Sequence, residues 1–182
     1  DLCRERAETN ASALREDVEN GWSVVFIEPS DAVMFQDEYR DLLSGPAVEA
    51  VSDAAYGIME YADVTGLTEV ADFGTPRQSL SYHGHCNQKA TNKDHHAVGA
   101  LQGAGYEVDT LNTTCCGMAG SFGYHEEHYD ISQAIGSLLF EEVEESPGDQ
   151  VTAPGASCRS QLGDEYDEHP PHPVEMLADA LN

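Results

Sequence analysis

Short β-rich runs alternate with helical segments along this chain, and that alternation constrains its fold more than any other feature. Residues 2–20 read as a helix, with Leu2, Ala7, Ala11, Leu14 and Val18 on one face and Asn20-Gly21 ending it. Trp22 to Ile27 reads as a buried strand. Helices are predicted from Asp31 to Leu43, with Ser30 as N-cap, and from Pro46 to about Tyr61. Residues 63–77 form a polar link. Beyond it come a strand from Gln78 to Tyr82, a helix from Lys93 to Gln102 and a strand from Tyr106 to Leu111. A long helix from His125 to Glu145 follows, then a strand from Gln150 to Ala153. Helices from Ala156 to Leu162 and from Pro173 to Leu181 close the chain. This order predicts an α/β fold with a mainly parallel sheet flanked by helices, because parallel neighbours need crossover connections.

A short internal similarity points to pseudo-duplicated half-domains. Pro29-Ser30-Asp31 is followed by Asp37-Glu38-Tyr39, and Ala156-Ser157-Cys158 by Asp164-Glu165-Tyr166, at the same interval. A charged helix and a short strand precede each copy. Residues 1–77 and 78–182 are the expected halves, and in this register Asp31 stands where the second copy has Cys158.

Five cysteines, Cys3, Cys86, Cys115, Cys116 and Cys158, make an odd set without a secretory signal, which argues against a disulfide scaffold. Four of them follow predicted strands. In a parallel sheet the carboxyl ends share one edge, so three loops bring Cys86, Cys115, Cys116 and Cys158 together. Four thiolates suit Zn²⁺ or an iron–sulfur cluster. The plainer alternative is buried cysteines acting as small hydrophobes. Gly117, Gly120 and Gly123 would let the backbone pass close to a bulky group. His83 and His85 flank Cys86, and His172 opens the last helix. Each suits a hydrogen-bond donor beside such a site or a ligand in it. Arg159 stands to offset thiolate charge or to pair with a carboxylate.

The chain has 34 acidic residues against 8 basic ones among 182, a formal charge of −26. Nucleic acid and anionic membranes are polyanions, so neither is an expected partner. No stretch approaches the roughly 18 apolar residues of a membrane span. With 40% apolar residues in periodic segments, the chain can build a core despite its charge. Molar salt shrinks the screening length to about 3 Å and relieves the repulsion, so a halophilic origin and a cytoplasmic location are expected. The first residue is Asp inside an apparent helix, which reads as the C-terminal piece of something longer.

Four stretches in order carry a family resemblance: Tyr82-His83-Gly84-His85-Cys86, Cys115-Cys116-Gly117-Met118-Ala119-Gly120-Ser121-Phe122-Gly123, Ser157-Cys158-Arg159-Ser160-Gln161 and His172-Pro173-Val174-Glu175-Met176-Leu177. They resemble the cysteine-rich CCG domain found in heterodisulfide reductase, in the iron–sulfur subunits of glycolate oxidase and anaerobic glycerol-3-phosphate dehydrogenase, and in fused FAD-linked oxidases acting on D-lactate and related 2-hydroxy acids. The resemblance implies an iron–sulfur electron-transfer module that passes electrons from a flavin towards a quinone or other acceptor. It implies Cys86, Cys115, Cys116 and Cys158 as ligands, the set for a 4Fe-4S cluster, with FAD and ferredoxin-like domains upstream. It also implies that residues 1–77 are the degenerate end of a first CCG repeat, that the piece alone lacks dehydrogenase activity, and that any membrane association is peripheral and runs through the parent enzyme. Where the family has C-x-x-C, this chain has Gly155-Ala156-Ser157-Cys158, and the first half carries Asp31 where a cysteine is often seen. A four-ligand cluster, a zinc ion and an empty structural or docking domain therefore stay open. The charge alone predicts that the melting temperature rises between low salt and molar NaCl. A melting temperature that is flat or falls over that range would count against this reading.

Overall fold

The computed structural model describes residues 2–113 and 115–182; Thr114, in the predicted loop of small residues, lies outside them. The first helix, α1 (Leu2–Glu19), matches its prediction and buries Ala7 and Ala11 against the helices of the first half. β1 (Val24–Phe26) is a shorter strand than the apolar run suggested. The following helix starts two residues before the predicted Asp31. α2 (Pro29–Val33) has Pro29 at its first turn and Glu28, not Ser30, as its N-cap. A π-helical turn over Met34–Glu38 leads into α3 (Tyr39–Leu42). Phe35 lies between Phe26 and Tyr39, with ring centroids 4.7 and 4.3 Å away.

The predicted helix from Pro46 to Tyr61 is broken. α4 (Pro46–Asp53) ends, β2 (Ala55–Gly57) intervenes, and α5 (Ile58–Val64) follows. Val48, Val51, Ala55, Met59 and Ala62 are all buried and keep helical spacing through the break, which is why periodicity missed it. The open edge of β1 decides the matter by pairing with Ala55-Tyr56-Gly57 in parallel. The polar link holds one short helix, α6 (Leu67–Val70), and an isolated bridge from Phe73 to Leu181.

The second half is built on β3 (Ser79–Tyr82), with β4 (Glu107–Thr110) and β5 (Gln150–Thr152) on either side, all parallel. A one-turn helix, α7 (Cys86–Ala90), and α8 (His95–Gly103) connect β3 to β4. Two 3₁₀ turns over residues 122–128 precede α9 (Tyr129–Glu145), which starts a turn later than predicted. α10 (Ala156–Tyr166) outruns its predicted end, and α11 (Pro173–Asp179) starts as predicted at Pro173. The fold is thus α/β with short parallel sheets between helices, and the order helix–strand–helix occurs at α1–β1–α2 and again at α9–β5–α10.

Leu80, Tyr82, Leu101 and Ala100 are completely buried and join β3 to α8, α5 and α11. A separate apolar cluster of Leu111, Leu139, Ala153 and Leu162 takes in Cys116 and Cys158. Replacing Leu101 by Ala should cost about 2–5 kcal/mol of stability through lost transfer energy and the cavity left behind. Denaturant unfolding measures it, and a cost under about 1 kcal/mol would mean that this site collapses freely.

Candidate metal centre

Parallel pairing puts the ends of β3, β4 and β5 on one edge, and the three loops leaving that edge carry the four cysteines. Cys86 is the first residue of α7. Cys115 and Cys116 lie in the loop after β4, and Cys158 is the third residue of α10. All four are unbridged thiols. Cys116 and Cys158 are buried, while Cys86 and Cys115 are half-buried. Cys3 lies exposed on α1.

Interaction with the Cys158 thiol, with His83 and the Met118 amide beside the sulfur, outweighs burial and lowers the pKa of Cys116 to about 4. The same interaction, burial and the charge of Cys116 raise that of Cys158. Burial pushes Cys86 up as well, and the charges of Cys115 and Cys116 add to this. The Gly117 amide donates to the Cys115 sulfur at 3.4 Å. Cys86 thus lies within electrostatic reach of Cys115, Cys116 and Cys158, and Cys116 within reach of Cys158. Among the described residues, no three His, Cys, Asp or Glu side chains converge closely enough to hold one metal ion.

His83 is completely buried, and neither ring nitrogen makes a hydrogen bond of normal geometry. Its polar neighbour is the Cys116 thiolate, which it stabilises. His85 and His172 do a different job, and the same one twice. The Nδ1 atom of His85 caps α7 by accepting from the Asn87 amide at 3.3 Å, and that of His172 caps α11 by accepting from Val174 at 3.0 Å. An accepting Nδ1 leaves the proton on Nε2. The Nε2 atom of His172 then donates to the Ile27 carbonyl at 3.3 Å, and that of His85 faces the Glu28 carboxylate at 3.8 Å. Burial lowers the pKa of both rings, which favours the neutral form. Arg159 pairs with Glu175 at 3.5 Å. At Gly117 φ is +93°, and a Cβ there would strike the Ser132 carbonyl of α9, so this glycine lets the loop lie on that helix.

Two residues of the site escaped the sequence reading. Lys89 is one of only two lysines, and that scarcity was the available signal. Its ammonium donates to the carbonyls of Leu111 (3.0 Å) and Thr113 (2.7 Å), which ties the approach to Cys115 onto α7. Burial lowers its pKa, and nearby carboxylates and thiols oppose the shift. Glu28, from the first half, reaches across to α10 and His85, and nothing in the local sequence announces that reach.

Residues 80–163 match the cysteine-rich domain designated CCG. The chain is 29% identical over 191 residues to a subunit of the anaerobic glycerol-3-phosphate dehydrogenase of Escherichia coli (strain K12), an alignment covering 100% of this chain and 46% of that protein. It is 25% identical over 166 residues to the D-2-hydroxyglutarate dehydrogenase of Pantoea ananatis, covering 88% of this chain and 16% of that protein. The D-2-hydroxyglutarate dehydrogenase of Escherichia coli (strain K12) is 24% identical over 191 residues, covering 96% and 17%. The chain thus spans about half of the first relative and under a fifth of the others.

The depressed pKa of Cys116 means that its charged form persists at neutral pH and is lost as pH falls through about 4. Metal-free protein should therefore show one thiolate by ultraviolet absorbance near neutral pH, and Cys116→Ser should abolish it. Full protonation of all thiols at neutral pH would refute the lowered pKa of Cys116.

Proposed function

We propose that this chain, which carries a cysteine-rich CCG domain over residues 80–163, is an iron–sulfur electron-transfer module working with a flavin-dependent dehydrogenase part. The observation that carries this reading is the placement of four unbridged cysteines on the three loops and helix starts that leave one sheet edge. That donor set suits a thiophilic group. Cys86, Cys115, Cys116 and Cys158 are the proposed ligands. When bound, an iron–sulfur cluster supplies one-electron transfer at a potential set by its surroundings.

The chain's own residues set those surroundings. The amides of Gly117 and Met118 already donate to the sulfurs of Cys115 and Cys116, and such donors favour added negative charge. Leu111, Leu139, Ala153 and Leu162 keep water away from Cys116 and Cys158. Lys89 fixes the loop that carries the adjacent pair.

By the repeat register, residues 1–77 are the end of a first CCG repeat and residues 78–182 the second. Two relatives are named as dehydrogenases and one as a dehydrogenase subunit, which supports a flavoprotein partner domain and an electron acceptor beyond the cluster. No helix among the described residues is long and apolar enough to cross a membrane. A cytoplasmic location, with any membrane association peripheral and through the parent enzyme, is part of this proposal. A second reading, a cluster-less or zinc-stabilised docking domain, draws on Gly155, whose C-x-x-C position offers no thiol.

The deciding experiment is metal and acid-labile sulfide analysis after anaerobic purification in molar salt. About four irons and four sulfides per chain are expected, reduced sharply by Cys86→Ser or Cys158→Ser. Zinc at about one per chain, or no metal with the four thiols free, would favour the docking domain.

A further inference from the structure

We infer that Glu28 is a positioning residue for the cysteine site, one carboxylate that caps a helix in each half, α2 and α10. Its Oε1 accepts from the Ser30 amide (3.4 Å) and hydroxyl (3.0 Å), which caps α2. Its Oε2 accepts from the Ala156 amide at 2.9 Å, which caps α10, the helix of Cys158. Glu28 and Ala156 are 128 residues apart in the chain. The carboxylate also faces the Nε2–H of His85, the residue that caps the helix of Cys86. One side chain therefore meets both cysteine-bearing helices at their starts.

The geometry explains why the cap must come from outside. α10 has Gly155 at its N-cap, and glycine offers no side-chain acceptor. No larger residue fits there. A Cβ on Gly155 would overlap the His85 ring and would lie 3.3 Å from the Cys158 sulfur. The His85 imidazole thus fills the volume that a side chain at position 155 would take. In the repeat register Glu28 is the counterpart of Gly155, so the first copy supplies the capping group that the second lacks. Beside it, His172 bonds the carbonyl of Ile27 and holds the same corner against α11. Glu28 is only half-buried, so its charge is tolerated while two helix N-termini share it.

The assignment rests on the reading of the four thiols as a site, but its test separates the two. Amide hydrogen exchange and thiol alkylation are measured on the metal-free chain for wild type, Glu28→Asp and Glu28→Gln. Iron loading, electron paramagnetic resonance and the reduction potential follow. Aspartate caps its own helix well but is one methylene too short to reach Ala156. Glu28→Asp should leave the Ser30 amide protected and speed exchange at Ala156 by about five- to tenfold. It should also raise the alkylation rate of Cys158 relative to Cys86, and change the spectrum and potential of loaded protein. Glutamine keeps only one accepting oxygen, so at least one of the two amides loses protection in Glu28→Gln. Wild-type exchange at both amides in both variants would overturn the inference. So would faster exchange at Ala156 with the relative reactivity of Cys158 unchanged. A wild-type chain that takes up no iron defeats the electron-relay reading and leaves the exchange and alkylation results to decide the role of Glu28.

Discussion

Parallel pairing of β4, β3 and β5 is the constraint on which the rest of this structure depends. Parallel strands must be joined by crossovers, so every strand ends on the same edge. The loops leaving that edge meet without further design. Cys86, the Cys115–Cys116 pair and Cys158 sit on those loops, and Cys86 comes within electrostatic reach of the other three. The helices behind the edge bury Leu80 and Leu101 completely, so the strand ends are held by a packed layer.

The site then takes its character from a few short-range interactions in an apolar setting. Cys116 and Cys158 belong to a hydrophobic cluster, and that setting strengthens the interaction between the two groups, which shifts their pKa values in opposite directions. Around the thiols, the polar side chains mostly hold backbone. His85 and His172 cap helices, Lys89 binds two carbonyls, and Glu142 accepts from the Thr113 amide at 2.8 Å. These contacts fix the three loops relative to the sheet. They also explain why a loop rich in small residues can present a defined pair of cysteines.

The first half of the chain is tied to this arrangement at one corner. The turn between β1 and α2 offers the Ile27 carbonyl to His172 and the Glu28 carboxylate to α10. α2 packs on α7, and α5 on α8, so apolar contact supports the polar joint. α7 and α10, which carry Cys86 and Cys158, take part in this coupling beside α8 and α11.

Most of the element order was legible in the sequence because amphipathic spacing, helix-ending glycine and β-rich runs are local signals. The α/β class, the central strand at Ser79–Tyr82 and the three cysteine-bearing loops all follow from them. β2 was not legible, since Val48 to Ala62 keeps helical spacing and only the free edge of β1 turns Ala55–Gly57 into a strand. The cap of α2 was misplaced by two residues because Ser30 and Glu28 are both competent acceptors. The choice between them follows from what Glu28 reaches 128 residues away. Composition determined the charge, and the predicted strand ends placed Cys86, Cys115, Cys116 and Cys158 on the elements leaving one sheet edge. Tertiary structure alone decided the opposite pKa shifts of Cys116 and Cys158, which histidine nitrogens donate, and that Arg159 pairs with Glu175. Those outcomes depend on distances between segments remote in the chain, and no local pattern of residues encodes such a distance.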